Sequence, residues 1–113
     1  MKTVIQKIEF GNVIINGKRY GCDILITPDD VRETEKTHEL DTHILEDAIL
    51  REPEIVIIGI GFNGLVNVPD EVKTMIKNAG ADLVIKKTPE ALKDFQALLK
   101  QGKKVVAWIH TTC

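Results

Sequence analysis

Serine does not occur in this sequence. That single absence removes serine-nucleophile hydrolysis, whatever the fold. Cysteine is nearly as scarce, and Cys22 and Cys113 stand too far apart in the chain to suggest a disulfide framework. Aromatic residues make up 4% of the chain, and none interleaves the basic doublets Lys86-Lys87 and Lys103-Lys104. With a net charge of -2, nothing draws the protein to nucleic acid. No apolar run approaches the roughly 20 residues that cross a bilayer, and the opening "MKTVIQKIEFG" has no signal-peptide core. The expectation is a cytoplasmic protein with neither a nucleic-acid nor a membrane partner.

What is present is the composition of a globular domain. The chain is 43% hydrophobic and 28% charged over 113 residues, enough for one core and a single domain, 1–113. The first quarter alternates: Val4, Ile8 and Phe10 share a parity, and Val13 and Ile15 follow. Asn16-Gly17 is a hairpin signal, because a type I′ turn needs positive φ at both central residues. Tyr20, Cys22, Ile24 and Ile26 then mark one buried strand face. Residues 27–41 are polar, a long connection of the kind that tends to carry function. Asp41 is placed to cap a helix, with Leu40 and Leu45 stapled across the cap. Beyond it, apolar strands at 55–58, 83–85 and 105–109 alternate with helices opened by Pro69 and by Thr88-Pro89 and stopped by Gly80 and Gly102. Such spacing predicts right-handed crossovers and a parallel sheet. The fold class is α/β: an N-terminal antiparallel β-meander packed with a short parallel sheet and its crossover helices.

Gly59-x-Gly61-x-x-Gly64 follows the 55–58 run with the spacing of a dinucleotide-binding turn. The rest of that pattern is missing. A pyrophosphate needs a helix N-terminus directly after the glycines, yet the next helix waits until Pro69 and carries Asp70 and Glu71 in its first turn. Lys86-Lys87 stands where the fingerprint wants an acid. The glycines therefore read as backbone requirements, positive φ or close approach, and no cofactor is expected. The ends of parallel strands are nevertheless where such sheets place ligands.

Among three histidines, His43 falls in the first turn of its helix, where a structural or solvent-facing role is expected. His38 lies in the polar segment with Arg32 and Glu33, and His110 precedes Cys113 by three residues. His-x-x-Cys supplies two metal ligands where zinc takes three or four, so no metal site is expected. Arg32-Glu33 reads either as a surface ion pair or as part of a loop folded over the strand ends, with Arg32 on an anion and Glu33 or His38 moving a proton.

"RETEKTH" from Arg32, "IVIIGIGFNGLVNVP" from Ile55, "TPEALKDFQALLKQGKKVVA" from Thr88 and the closing "HTTC" together make the chain resemble the small Mth-type domain family. The resemblance covers most of the chain and implies a compact three-layer β/β/α domain. It implies no established enzymatic activity, since members act in assembly or regulation or are uncharacterised. Arg32, Glu33, His38, Gly59, Gly61, Pro69, His110 and Cys113 match the family pattern, while Val31 replaces a common tryptophan. The reading is a non-enzymatic binding or assembly module with an unknown protein partner and a candidate homodimer. The rival is a small anionic-ligand protein or enzyme, its cleft made by Gly59, Gly61 and Gly64, the Arg32 loop, and His110 with Cys113.

Overall fold

The alternating first quarter folds as three short strands, β1 (Ile5–Glu9), β2 (Asn12–Ile15) and β3 (Lys18–Tyr20). They pair antiparallel in a sheet of their own in the computed structural model, which describes residues 2–113. Asn16 (φ 52°) and Gly17 (φ 80°) form the β2–β3 turn in the left-handed conformation that the Asn-Gly pair predicts. The first strand departs from its expected parity. A register irregularity between Ile5 and Lys7 turns Ile5 and Ile8 toward the core, whereas Val4 and Phe10 are 50% and 56% exposed. One extra residue in a strand exchanges its faces from that point on.

Tyr20, Ile24 and Ile26 are buried in one core with Cys22 packed against it, but the strand that carries them is broken. Pairing lapses at Gly21 and Cys22, and β4 (Asp23–Ile26) enters a second sheet. That sheet has the order β5-β4-β8-β6-β7, with β5 (Val31–Thr34), β6 (Ile55–Gly59), β7 (Asp82–Lys86) and β8 (Val105–Ile109). The β8-β6-β7 half is parallel, while β4 and β5 run antiparallel to their neighbours. The large sheet is therefore mixed. The polar segment 27–41 is also not all loop, because β5 forms an edge strand within it.

Among the described residues three helices complete the fold: α1 (Thr42–Ile49), α2 (Asp70–Asn78) and α3 (Thr88–Lys100). Asp41 Oδ1 accepts the His43 N–H at 2.8 Å, which is the expected N-cap. Pro69 sits one residue earlier than expected, as the N-cap of α2. The path β6–α2–β7 steps outward, and β7–α3–β8 steps back across β6. Right-handed crossovers then place α2 and α3 on opposite faces. One face buries Leu45, Val72, Ile76 and Trp108 under α1 and α2. The other buries Phe95 and Leu92 of α3 beside Val13 and Ile15 of the small sheet. The large sheet is thus the middle of three layers, and the ends of β6 and β8 lie side by side at one rim.

Candidate functional site

The glycine turn leaves β6 at that rim. Gly59 lets α3 approach, since a Cβ there would stand 2.8 Å from Ile109 Cδ1 and 3.2 Å from Ala91 Cβ. Gly61 has φ 97°, and a Cβ on it would overlap the Cys113 carbonyl. The turn is a slot for the chain's own residues 110–113. Phe62 N–H donates to Thr112 O at 2.7 Å, and the Asn63 and Leu65 N–H groups donate to Cys113 O at 3.2 and 3.3 Å. Gly61 N–H donates to Thr88 Oγ1 at 3.0 Å, and that hydroxyl donates to His110 O at 2.6 Å. Gly64 N–H bonds Gly61 O, and Val66 N–H bonds Ile60 O. Donors that a nucleotide-binding turn offers to phosphate are therefore already engaged. This is the physical reason that glycines occur here at a cofactor-like spacing.

Seating residues 110–113 in the slot gathers the side chains of His110, Asp23, Thr112, His38 and Cys113. His110 is fully buried, with Nδ1 2.7 Å from Oδ1 of the equally buried Asp23. Their geometry falls short of a hydrogen bond, and among the described residues neither atom has another polar partner. A carboxylate beside Nδ1 selects the Nδ1–H tautomer and leaves Nε2 as the acceptor. Thr112 Oγ1 lies 3.2 Å from Nε2, where it can donate. Burial holds the His110 imidazole below its usual range, against the attraction of Asp23, and so favours the neutral ring. Burial also pushes the Asp23 carboxyl up, opposed by the Thr37 N–H that donates to Oδ2 at 2.8 Å and by His110. Next to Thr37, the His38 ring lies tilted against that of His110, with centroids 4.7 Å apart and planes inclined at 58°, and its Nε2 lies 3.2 Å from Cys113 Sγ. Main-chain bonding of Asn67 N–H to His38 O, 2.8 Å, ties this segment to the loop after the glycines.

Arg32 and Glu33 do not join this group. They sit on opposite faces of β5. Arg32 pairs with Asp47 of α1 at 3.1 Å and lines a shallow recess with Asp30, Asp47 and Arg51, which includes neither Gly61 nor His110. Glu33 faces the other way, toward Cys22, whose thiol pKa is raised first by its own burial and then by Glu33. Of the residues singled out in the sequence, the fold brings together Gly61, His38, His110 and Cys113, with Gly59 and Gly64 framing the turn. His43 is exposed beside Glu46.

Two contributors escaped the sequence reading. Asp23 has the parity opposite to Ile24 and Ile26, which looks solvent-facing until both faces of the sheet are covered. Thr88 looks like a helix cap, yet Lys87 occupies the cap position and the Thr88 hydroxyl bridges β6 and β8 instead.

The model of the family described as a protein of unknown function, DUF498/DUF598, matches residues 5–110. The chain belongs to that family. Among solved structures this DUF498/DUF598 chain is similar to the conserved hypothetical protein PH1505 from Pyrococcus horikoshii OT3, at 28% identity and a TM-score of 0.87, covering 97% of this chain and 99% of that one. It is also similar to MT938, at 25% identity and a TM-score of 0.82 over 98% and 99% of the two chains. A Mth938-like domain protein of Bordetella pertussis shares the fold at 15% identity and a TM-score of 0.77, over 96% and 85%. The Mth-type resemblance and its fold hold for this chain, and the family is described as one of unknown function.

Proposed function

We propose that the protein is a non-enzymatic binding or assembly module that works through protein contacts at the rim where β6 and β8 end. The observation that carries this reading is apolar surface beside a backbone with its donors engaged. Phe10 packs on Phe62 at a centroid distance of 5.6 Å while remaining 56% exposed, and Leu65 on the glycine loop is 61% exposed. Isolated exposed apolar residues are common, but a paired aromatic surface of this kind suits a macromolecular partner better than a small polar ligand. In the test, tagged wild type and the double variant Phe10→Glu/Leu65→Glu are compared for co-purification of a stoichiometric partner. Loss of the partner from a folded double variant is the expected result. Equal retention by both would overturn the assignment of this rim.

Self-association belongs to the same proposal. β5 and β7 are the edges of the large sheet, and β7 presents Ile85, 36% exposed. A homodimer pairing β7 with itself would cover that edge, and Ile85→Lys should then shift the sedimentation coefficient to that of a monomer.

The small-ligand reading keeps one supporting observation, the convergence of His38, His110 and Cys113. Arg32 has no part in it, so a ligand whose thermal shift disappears in Arg32→Ala but persists in His38→Ala would place binding elsewhere.

A further inference from the structure

We propose that His38, His110 and Cys113 bind a zinc-class transition-metal ion, with Asp23 as the carboxylate that orients the site. The donor atoms of the three residues all lie within 4.8 Å of one another. Tetrahedral zinc, with bonds of about 2.0–2.1 Å to nitrogen and 2.3 Å to sulfur, sets its donors roughly 3.3–3.7 Å apart. His38 Nε2 and Cys113 Sγ, at 3.2 Å, are already near that separation. Closing the remaining gap takes a modest rotation of side chains, two of which are not fully buried.

Asp23 makes this more than three neighbouring donors. Metal-bound histidines usually direct their second ring nitrogen at a carboxylate, which fixes the tautomer and the ring. His110 Nδ1 faces Asp23 Oδ1 at 2.7 Å, and both atoms are buried without another polar partner among the described residues. The second oxygen of Asp23 accepts the Thr37 N–H at 2.8 Å, immediately before His38. One buried carboxylate therefore lies against His110 Nδ1 and, through the Thr37 N–H, anchors the backbone beside His38. Thr112 Oγ1 now partners His110 Nε2 at 3.2 Å, and a metal would displace that hydroxyl by rotation about its own side chain. Cys113 binds as the thiolate, so its proton passes to solvent as the metal–sulfur bond forms.

Two imidazoles and one thiolate favour zinc or copper over magnesium or calcium. Three protein ligands leave one position open to water or to an exogenous donor. This inference stands apart from the protein-contact reading, because it concerns the polar cluster and not the apolar surface beside it.

The experiment titrates chelator-stripped protein with Co(II) as a spectroscopic probe and then with Zn(II) in competition with a chromophoric chelator. The expected result is one ion per chain, with a thiolate-to-cobalt charge-transfer band and tetrahedral d–d bands. Cys113→Ser should abolish the charge-transfer band. His38→Ala should weaken Zn(II) binding, and Asp23→Asn should weaken it by about 10- to 100-fold. His38 and Cys113 are the variants to rely on for folding, since neither is fully buried, and circular dichroism checks each one. No saturable single site in the wild type overturns the proposal. So does Zn(II) affinity unchanged in folded His38→Ala and Cys113→Ser, which would assign the ion to surface carboxylates.

Discussion

At the scale of single residues, the backbone at Gly61 and the thiol of Cys22 give the sharpest tests. Gly61 combines positive φ with direct contact against Cys113, so a methyl group there meets two penalties at once. Gly61→Ala should cost about 2–5 kcal/mol, the sum of a left-handed alanine and overpacking. Gly80 has φ 79° with nothing within 4 Å of its added Cβ, so Gly80→Ala should cost only about 1–2 kcal/mol. Urea denaturation of the pair separates the two terms, and equal losses would mean that residues 110–113 do not press on the turn. Cys22 is held above its ordinary thiol value of 9.0, first by burial and then by Glu33. The protonated thiol is the form favoured in the folded state. Its contribution to stability is thus fully present below the unfolded value and is lost as pH rises toward the folded one. In a Cys113→Ser background, Glu33→Gln should speed alkylation of Cys22 at pH 8, because one charge opposing the thiolate is removed. An unchanged rate would remove Glu33 as a cause.

At the scale of elements, Thr88 joins three of them. Its hydroxyl takes the Gly61 N–H after β6 and donates to His110 O after β8, from the first turn of α3. Thr88→Val keeps the shape and strands both backbone groups, each at a penalty of about 1–3 kcal/mol. Hydrogen exchange should show the Gly61 amide losing protection while the centre of β6 keeps it, and a Gly61 amide that stays protected would disprove the bridging role. The helices and the apolar strands were legible because their periods and punctuation are local: Asp41, Pro69, Gly80 and Gly102 act within a turn of their own positions. The edge strand β5 was not legible. Val31, Arg32, Glu33 and Thr34 become a strand only because β4 offers an open side to pair with. The break at Gly21 and Cys22 escaped for a similar reason, since an alternation of buried residues reads the same through a bend between sheets as along a straight strand.

At the scale of the whole molecule, two cores share one sheet. Phe95 belongs to the α3 face and Leu45 to the α1 and α2 face, while β4, β6 and β8 contribute side chains to both. Truncating either residue should destabilise the entire domain, by about 3–5 kcal/mol for Phe95→Ala and 2–5 for Leu45→Ala. Trp108 lies in the α1 and α2 core and reports on that side by fluorescence. Its unfolding midpoint should coincide with that from circular dichroism in both variants. Separate midpoints would show that the two layers unfold independently.

The sequence by itself determined the class of fold, the α/β alternation, the hairpin turn and the incompleteness of the nucleotide motif at the glycines, because each follows from short-range pattern. Only the tertiary structure decided what the glycines are for and which polar residues meet. His38 and His110 are separated by most of the chain, and His-x-x-Cys counted along the sequence supplies two donors. The third arrives when Asp23, on an inner strand, accepts from Thr37 and so carries His38 to the rim. Arg32 and Glu33 illustrate the converse: adjacent in sequence, they are sent to opposite faces by the alternation of a strand. Proximity along the chain set the helices and the apolar strands, whereas contacts between distant residues made β5 a strand and assembled the cluster.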